Sequence, residues 1–268
     1  LANIRQQKKE EKEQEEYRFQ RYSDYLMEKT DTIRKKYEET ARMLLARYPS
    51  AAECLCYDEE KGTLWNRNRT HEDFLTHRLG IGDIPFQIPV RIPQKRFTLS
   101  KDELEEKPDY IKKNYEFLYG VPVTLDLLEH NLIGVVGGEG RTGAMEMVTA
   151  LSMQIAANNC YTDVKLGYVY NKEADADQEK WEFVKWLPHV WSEDKKTRFV
   201  ASDKEQVSDV FYELANTLRA RLDEAAAFTS ETKIPKPYYV IFISDVSALE
   251  GELFAKYVFS KEKELGLT

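Results

Sequence analysis

Cysteine, histidine, long apolar runs and positive net charge are all in short supply in this chain of 268 residues, and each shortage removes a class of function. Three cysteines without a CxxC pair and four scattered histidines give neither zinc-ligand spacing nor a disulfide framework. Cys54 and Cys56 alternate with Leu55 as strand neighbours do. No run reaches the roughly eighteen apolar residues that a membrane-spanning helix needs. A net charge of −8 sets up no basic field toward nucleic acid or an anionic bilayer. The first twenty residues are mostly Lys, Glu and Gln, which is not the pattern of a secretory leader. The expectation is an intracellular protein with reduced thiols.

Glycine and proline are missing altogether from residues 1–48, where Lys, Arg, Glu and Gln dominate. Tyr22, Leu26, Ile33, Tyr37 and Leu44 follow one another at helical spacings, with Ala41 on the same seam. This predicts one long charged helix, ended by Pro49, with either its later turns docked or its whole length serving as a stalk. Strand grammar follows. Glu53 to Tyr57 and Thr63 to Arg67 flank Asp58–Gly62 and read as a hairpin. The prolines of residues 84–93 lack the N–H that a central ladder requires, so that stretch belongs at an edge or on a surface. Phosphate binding is one reading of Arg67, Arg69 and Arg78, and the favoured one is surface or structural ion-pairing groups. A polar helix pair broken at Pro108 comes next, then Val121–Leu127.

The informative stretch is Leu132-Ile133-Gly134-Val135-Val136-Gly137-Gly138-Glu139-Gly140-Arg141-Thr142-Gly143-Ala144-Met145. An apolar run enters a glycine loop, and Met145, Val148, Leu151 and Ile155 then recur as one face of a helix. Strand, glycine loop and helix are the context of a phosphate-binding loop. Gly138 and Gly143 fall in register with G-x-x-x-x-G-K-[ST], but Ala144 stands at the lysine position and Met145 at the hydroxyl position. The lysine offsets phosphate charge and the hydroxyl holds Mg²⁺, and neither replacement does so. Losing one charge-assisted contact in a desolvated site costs ~2–5 kcal/mol, which is roughly 30- to 4000-fold in affinity. Downstream, Tyr238 to Ile243 is an apolar, β-rich run leading through Ser244 to Asp245, placed as a Walker B acid would be to meet Mg²⁺. Val246 stands where active enzymes of this type carry a water-polarising glutamate.

Between and after these motifs the pattern alternates strand and helix. Val164–Tyr170 and Arg198–Ala201 read as strands. Asp177–Leu187, Asp203–Ala227 and Leu249–Leu265 read as helices, and the last residues read as the start of a further strand. The fold class is α/β: a RecA-like P-loop NTPase fold with a mainly parallel sheet, preceded by a long helix and a small β-rich lead-in. The expected division is 1–48 as helix or stalk, 49–130 as lead-in and 131–268 as a degenerate RecA-like domain, truncated at its C-terminal end. The tryptophans read as core or interface anchors.

Trp65-Asn66-Arg67, Asp73-Phe74-Leu75 followed by Arg78-Leu79-Gly80-Ile81-Gly82, Val121-Pro122-Val123-Thr124-Leu125-Asp126 and the loop at Gly138–Met145 occur in an order that resembles a known family. It is that of the FtsK/SpoIIIE-like ATPases of type VII secretion systems, called EssC or EccC. The resemblance covers nearly the whole chain and places it as the first, membrane-proximal, degenerate ATPase domain. It implies a place on the cytoplasmic side of the bacterial membrane, as part of a hexameric motor exporting WXG-motif proteins. The implied partners are the membrane region, downstream ATPase domains and other secretion components, without nucleic acid. Carried over residue by residue, Gly138, Gly143 and Asp245 match, whereas Ala144, Met145 and Val246 depart. A vestigial site would comprise Gly138, Gly140, Arg141, Gly143, Ala144, Met145 and Asp245, with no catalytic residue, no metal and no cofactor. Two alternatives stand beside this reading. One is weak binding of ATP and Mg²⁺, with Arg141 replacing the lysine charge and Glu250, or an Asp from elsewhere, orienting water. The other is a DNA translocase, which the net charge opposes.

Overall fold

In the computed structural model the stretch free of glycine and proline is one continuous helix, α1 (Ala2–Arg47). After it come α2 (Ala51–Cys54), β1 (Thr76–Pro85), α3 (Glu103–Asn114), β2 (Phe117–Asp126) and α4 (Thr142–Asn158). The remaining elements are β3 (Val164–Val169), β4 (Val200–Ala201), α5 (Lys204–Ala227), β5 (Tyr238–Ile243) and α6 (Ala255–Val258). The structure describes residues 2–87, 91–92, 103–171, 181–227, 234–260, 262 and 265–268. They form two compact units, one from Leu1–Tyr48 with Gly80–Val123 and the other from Pro49–Leu79 with Thr124–Thr268.

In the first unit the later turns of α1 dock. Ile33, Tyr37, Ala41 and Leu44 pack against Phe86, Leu118 and Val121. The Tyr37 ring stands edge-on to Phe86 at 5.4 Å and to Tyr115 at 5.6 Å, and its hydroxyl accepts from the Tyr119 amide at 3.0 Å. The earlier turns are solvated and carry spaced pairs such as Lys9–Glu13 and Lys12–Glu16, which add little stability. Pro108 does not break a helix pair; α3 runs straight through it. A proline there forfeits only the bond to Leu104, in the first turn, so the cost is local. Strands β1 and β2 form a two-stranded antiparallel ribbon, with Phe86 N donating to Glu116 O at 2.8 Å and Leu127 N to Leu75 O at 3.2 Å. Both strands are edges, so Pro85 and Pro122 are tolerated. Residues 88–90 and 93 of the proline-rich stretch lie outside the described residues.

The second unit corrects the hairpin expected over 53–67. Ser50 and Glu53 make a capping box, in which Glu53 N donates to Ser50 Oγ at 3.3 Å and Ser50 N to Glu53 Oε2 at 2.6 Å. That reciprocal pair starts a helical turn and overrides the strand-like alternation of Cys54 and Cys56. Turns, not a second strand, occupy the residues that follow.

The parallel sheet has the order β4-β3-β5. Its strands have two apolar faces. Val164, Leu166, Tyr168, Tyr238, Val240 and Phe242 share a core with Met145, Val148 and Ile155 of α4. The intervening Val169, Tyr239, Ile241 and Ile243 pack with Val210, Phe211, Leu214 and Leu218 of α5. Helices therefore cover both faces, and the α/β, RecA-like class holds. Residues 266–268 add to the outer edge of β5, where Tyr239 N donates to Gly266 O at 2.8 Å and Ile241 N to Thr268 O at 2.9 Å.

Three expected elements differ. Residues 131–138 carry no strand. The helix expected over 249–265 is reduced among the described residues to a 3₁₀ turn, Val246–Leu249, and the single turn α6, with Gly251 at φ 79° between them. Of the helix expected over 177–187, residues 177–180 lie outside the described residues and Glu182–Trp186 is a 3₁₀ segment. Among the tryptophans Trp181 is buried, Trp191 lies 4.5 Å from the Arg198 guanidinium, and Trp186 is 86% exposed.

Arg221 ties the outer edge together. Its guanidinium donates to Leu265 O at 2.7 Å and to Pro237 O at 2.5 Å, and lies 5.0 Å from the Tyr239 ring centre. Arg221→Ala is expected to lower unfolding free energy by about 2–3 kcal/mol, the loss of charge-assisted bonds to otherwise unmet carbonyls. Urea denaturation of the variant against the parent measures it; a change under about 0.5 kcal/mol contradicts the assignment.

Candidate functional site

The glycine loop takes its shape from a few backbone constraints. Gly138 sits at φ 69° and Gly140 at φ 73°, values that side chains disfavour. Glu139–Arg141 forms a 3₁₀ turn, and Arg141, left-handed at φ 56°, leads into α4. A Cβ at Gly137 would stand 2.5 Å from Ala144 N and 2.7 Å from Ala144 Cβ. The loop backbone thus lies directly on the first turn of α4, over amides that a phosphate at a helix N-terminus would use. At Gly143 the nearest atom to a built Cβ is Gly137 O at 3.7 Å, so a side chain would fit there.

The predicted site residues then separate. Arg141 and the Walker-B-like strand end come together: Arg141 Nη1 donates to Ser244 O at 3.0 Å. Asp245 caps the turn Val246–Leu249, accepting from Ser247 N at 2.9 Å. Hydrogen bonds from the Ser247 amide and side chain, with a smaller charge effect from Arg141, hold the Asp245 carboxyl below the usual carboxylate range. The acid is ionised at neutral pH and engaged in a local turn. Met145 points elsewhere. It is 5% exposed and belongs to the core with Val148, Ile155 and Leu166. Ala144 is half-buried and brings no charge. Val246, in the position of a water-polarising acid, is exposed.

Sequence reasoning missed a cleft of about 690 Å³ at the carboxyl ends of β3, β4 and β5. Asn171, Ser202, Asp203, Lys204 and Glu252 line it along with Asp245 and Glu250. Its position follows the rule for open parallel sheets, in which side chains just after each strand converge. Besides Asp245, two of its acids have structural partners: Asp203 accepts from Gln206 N at 3.0 Å in the first turn of α5, and Glu252 accepts from Ser208 Oγ at 2.6 Å. Ser202 directly follows β4, Asp203 directly precedes α5, and Asp245 and Glu250 flank the 3₁₀ turn Val246–Leu249, which was the available signal.

Two of the segments that carry the resemblance, Trp65–Arg67 and the stretch from Asp73, have structural roles here. Trp65 Nε1 donates to Ala156 O at 3.0 Å, and Arg67 N to Asn158 O at 2.9 Å, so this segment closes the end of α4. The buried Arg67 donates to Thr76 O at 2.9 Å and lies 3.6 Å from the Asp73 carboxylate. This is the ion-pairing role expected for that arginine. Beside it His77 is fully buried, and among the described residues neither ring nitrogen has a partner. Burial, with a smaller contribution from Arg67, depresses its pKa to about 3. His189, whose Nε2 lies 2.8 Å from Asn159 O, is depressed by burial to about 4.

Both histidines are neutral in the folded chain and take up a proton near pH 6.5 when unfolded. Stability is therefore complete above pH 6.5 and is lost as pH falls toward 4, by up to ~1.4 kcal/mol per pH unit for each histidine. Chemical denaturation at pH 7.5, 6.0 and 5.0 should show this loss, with about half of the slope removed by His77→Leu. A flat profile across that window would show that the two rings are solvated.

No protein-family model matches the chain. It is similar to the ESX secretion system protein EccC of Geobacillus thermodenitrificans, with 25% identity over 271 residues, covering 100% of this chain and 18% of that protein. Similarity to the ESX secretion system protein YukB of Bacillus subtilis is 24% over 269 residues, 97% of this chain and 17% of that protein. The type VII secretion system protein EssC of Staphylococcus aureus is 25% identical over 268 residues, 98% of this chain and 18% of that protein. The chain thus spans less than a fifth of the length of these curated relatives.

Proposed function

We propose, for a chain homologous over nearly its whole length to the type VII secretion proteins EccC, YukB and EssC, the role of a non-hydrolysing ATPase-like module in a secretion motor. The module lies on the cytoplasmic side of the membrane. It couples the membrane part of its protein to neighbouring ATPase domains, through contacts between domains rather than through nucleotide turnover. Its partners are those domains and other secretion components in a hexameric assembly, and the cargo is of the WXG-motif type. Nucleic acid has no part in it.

The observation that carries this reading is Met145. In a working phosphate loop that position presents a hydroxyl to Mg²⁺. Here a thioether at 5% exposure fills the core between α4 and the sheet. Three further features support it: Ala144 supplies no cation, Arg141 is bonded to Ser244 O, and the Gly137 backbone rests on the helix start. The site has become part of the packing.

Calorimetric titration of the chain with Mg-ATP should give no binding heat up to millimolar nucleotide. Binding tighter than about 100 μM, or −5.5 kcal/mol, that is abolished by Arg141→Ala would overturn the proposal in favour of a weak ATP site. Met145→Thr should destabilise the fold by about 2–4 kcal/mol, through a cavity and a buried hydroxyl, without creating Mg²⁺-dependent binding. Differential scanning calorimetry with and without Mg-ATP separates those two effects.

A further inference from the structure

Trp186 is 86% exposed, an unusual state for so large an apolar side chain. It does not sit on a frayed end. The 3₁₀ segment Glu182–Trp186 that carries it is anchored by the fully buried Val184. Trp181 before it is buried, and after it Leu187 N donates to Val184 O at 3.1 Å and His189 and Val190 are buried. The backbone that presents the ring is therefore fixed, which lowers the ordering cost of binding. Among the described residues the Trp186 indole N–H has no acceptor.

The same unit has an apolar notch of about 300 Å³ between α5 and the chain just before α6. Buried Phe211 and Ala215 form its floor, with Phe211 stacked on Phe254 at 4.8 Å. Tyr212 and Leu253, 69% and 61% exposed, are its walls. A cavity of about half this size holds a benzene ring, so there is room for one indole. Asp209 and Glu252 line it as well. Glu252 accepts from Ser208 Oγ, whereas the exposed Asp209 carboxylate has no partner among the described residues. Glu252 also lines the larger cleft, and across notch and cleft five acids face one base, Lys204.

We infer that the notch takes Trp186 from a second copy of this chain, in a head-to-tail contact. Size, lining and charge agree. The ring covers Phe211 and Ala215 between Tyr212 and Leu253, and its N–H donates to the unpaired Asp209 carboxylate. Lys185, next to Trp186 and held on Glu182 at 2.7 Å, brings a cation to the acids of the notch and cleft. A second copy is the favoured occupant because the chain displays both halves of the contact. Ring and notch are different surfaces, so each copy uses its ring on one neighbour and its notch on another, and the contact propagates. One buried ring with its surround is a small interface, so free chains associate weakly, and copies held in an assembly supply the effective concentration. The inference goes beyond the proposed function and does not depend on whether the glycine loop binds nucleotide.

Sedimentation velocity without nucleotide tests it on the parent chain, Trp186→Ala and Leu253→Asp, both substitutions lying at exposed positions. The parent is expected to self-associate with a dissociation constant of roughly 100 μM. Each variant should associate about thirtyfold more weakly, the loss of a hot-spot residue. An equimolar mixture of the two variants should regain the contact as a one-to-one pair and grow no further, because one intact ring meets one intact notch. That recovery also shows that neither variant has lost its fold. A parent that stays monomeric up to about 1 mM overturns the inference and leaves the notch to a different partner. So does association that Leu253→Asp leaves intact, which would make the contact one of Trp186 with another surface, and so does a mixture that stays monomeric. The readout is mass without nucleotide, so its failure and that of the functional proposal are distinguishable.

Discussion

The ladder between β3 and β5 is the constraint on which the second unit depends. Six consecutive residues of each strand pair in parallel, from Val164 with Tyr238 to Val169 with Ile243. A parallel ladder cannot close through a tight turn, so the intervening chain must cross over and return, and both sheet faces need covering. The pleat does the sorting. Even-numbered residues of β5 enter the core with α4 and odd-numbered ones the core with α5. The cleft at the strand ends, the Asp245 turn and the seat of residues 266–268 are all positioned by this pair.

The glycine loop joins this core through the first turn of α4. The glycine loop still turns through left-handed backbone at Gly138 and Gly140, and α4 still starts where a phosphate-binding helix would. Met145, in the first turn of α4, contributes to apolar burial, which brings stability without any need for a ligand. Arg141 is likewise engaged within the chain. A side chain in reach of the loop is bonded to a main-chain carbonyl, which links the loop to the end of β5. Both side chains are thus directed to partners within the chain.

Helices and strands with strong periodicity are legible in the amino-acid sequence. The lack of glycine and proline before Pro49, the apolar face of α5 and the β-rich run of β5 each specify one element through a repeat. What failed was local competition. Ser50 and Glu53 outweigh the alternation of Cys54 and Cys56, because two reciprocal hydrogen bonds at a helix start are worth more than a weak period. The helix expected over 249–265 is cut by Gly251, whose positive φ ends the turn. The run 132–136 reads as a strand on composition, but a strand is a relation between two segments, and composition describes only one.

The sequence by itself determined the glycine register at Gly138 and Gly143, the replacements at Ala144, Met145 and Val246, and the long charged helix. These follow from residue identity and spacing, which need no knowledge of what lies nearby. Only the tertiary structure decided where the side chains go. It turned Met145 into the core, bonded Arg141 to Ser244, buried Arg67 beside Asp73 and left His77 neutral among them. The physical reason is that burial and partnership are set by segments far apart in the chain. Met145 is a core residue because the strands of β3 and β5, about twenty and a hundred residues away, supply the surface that it covers.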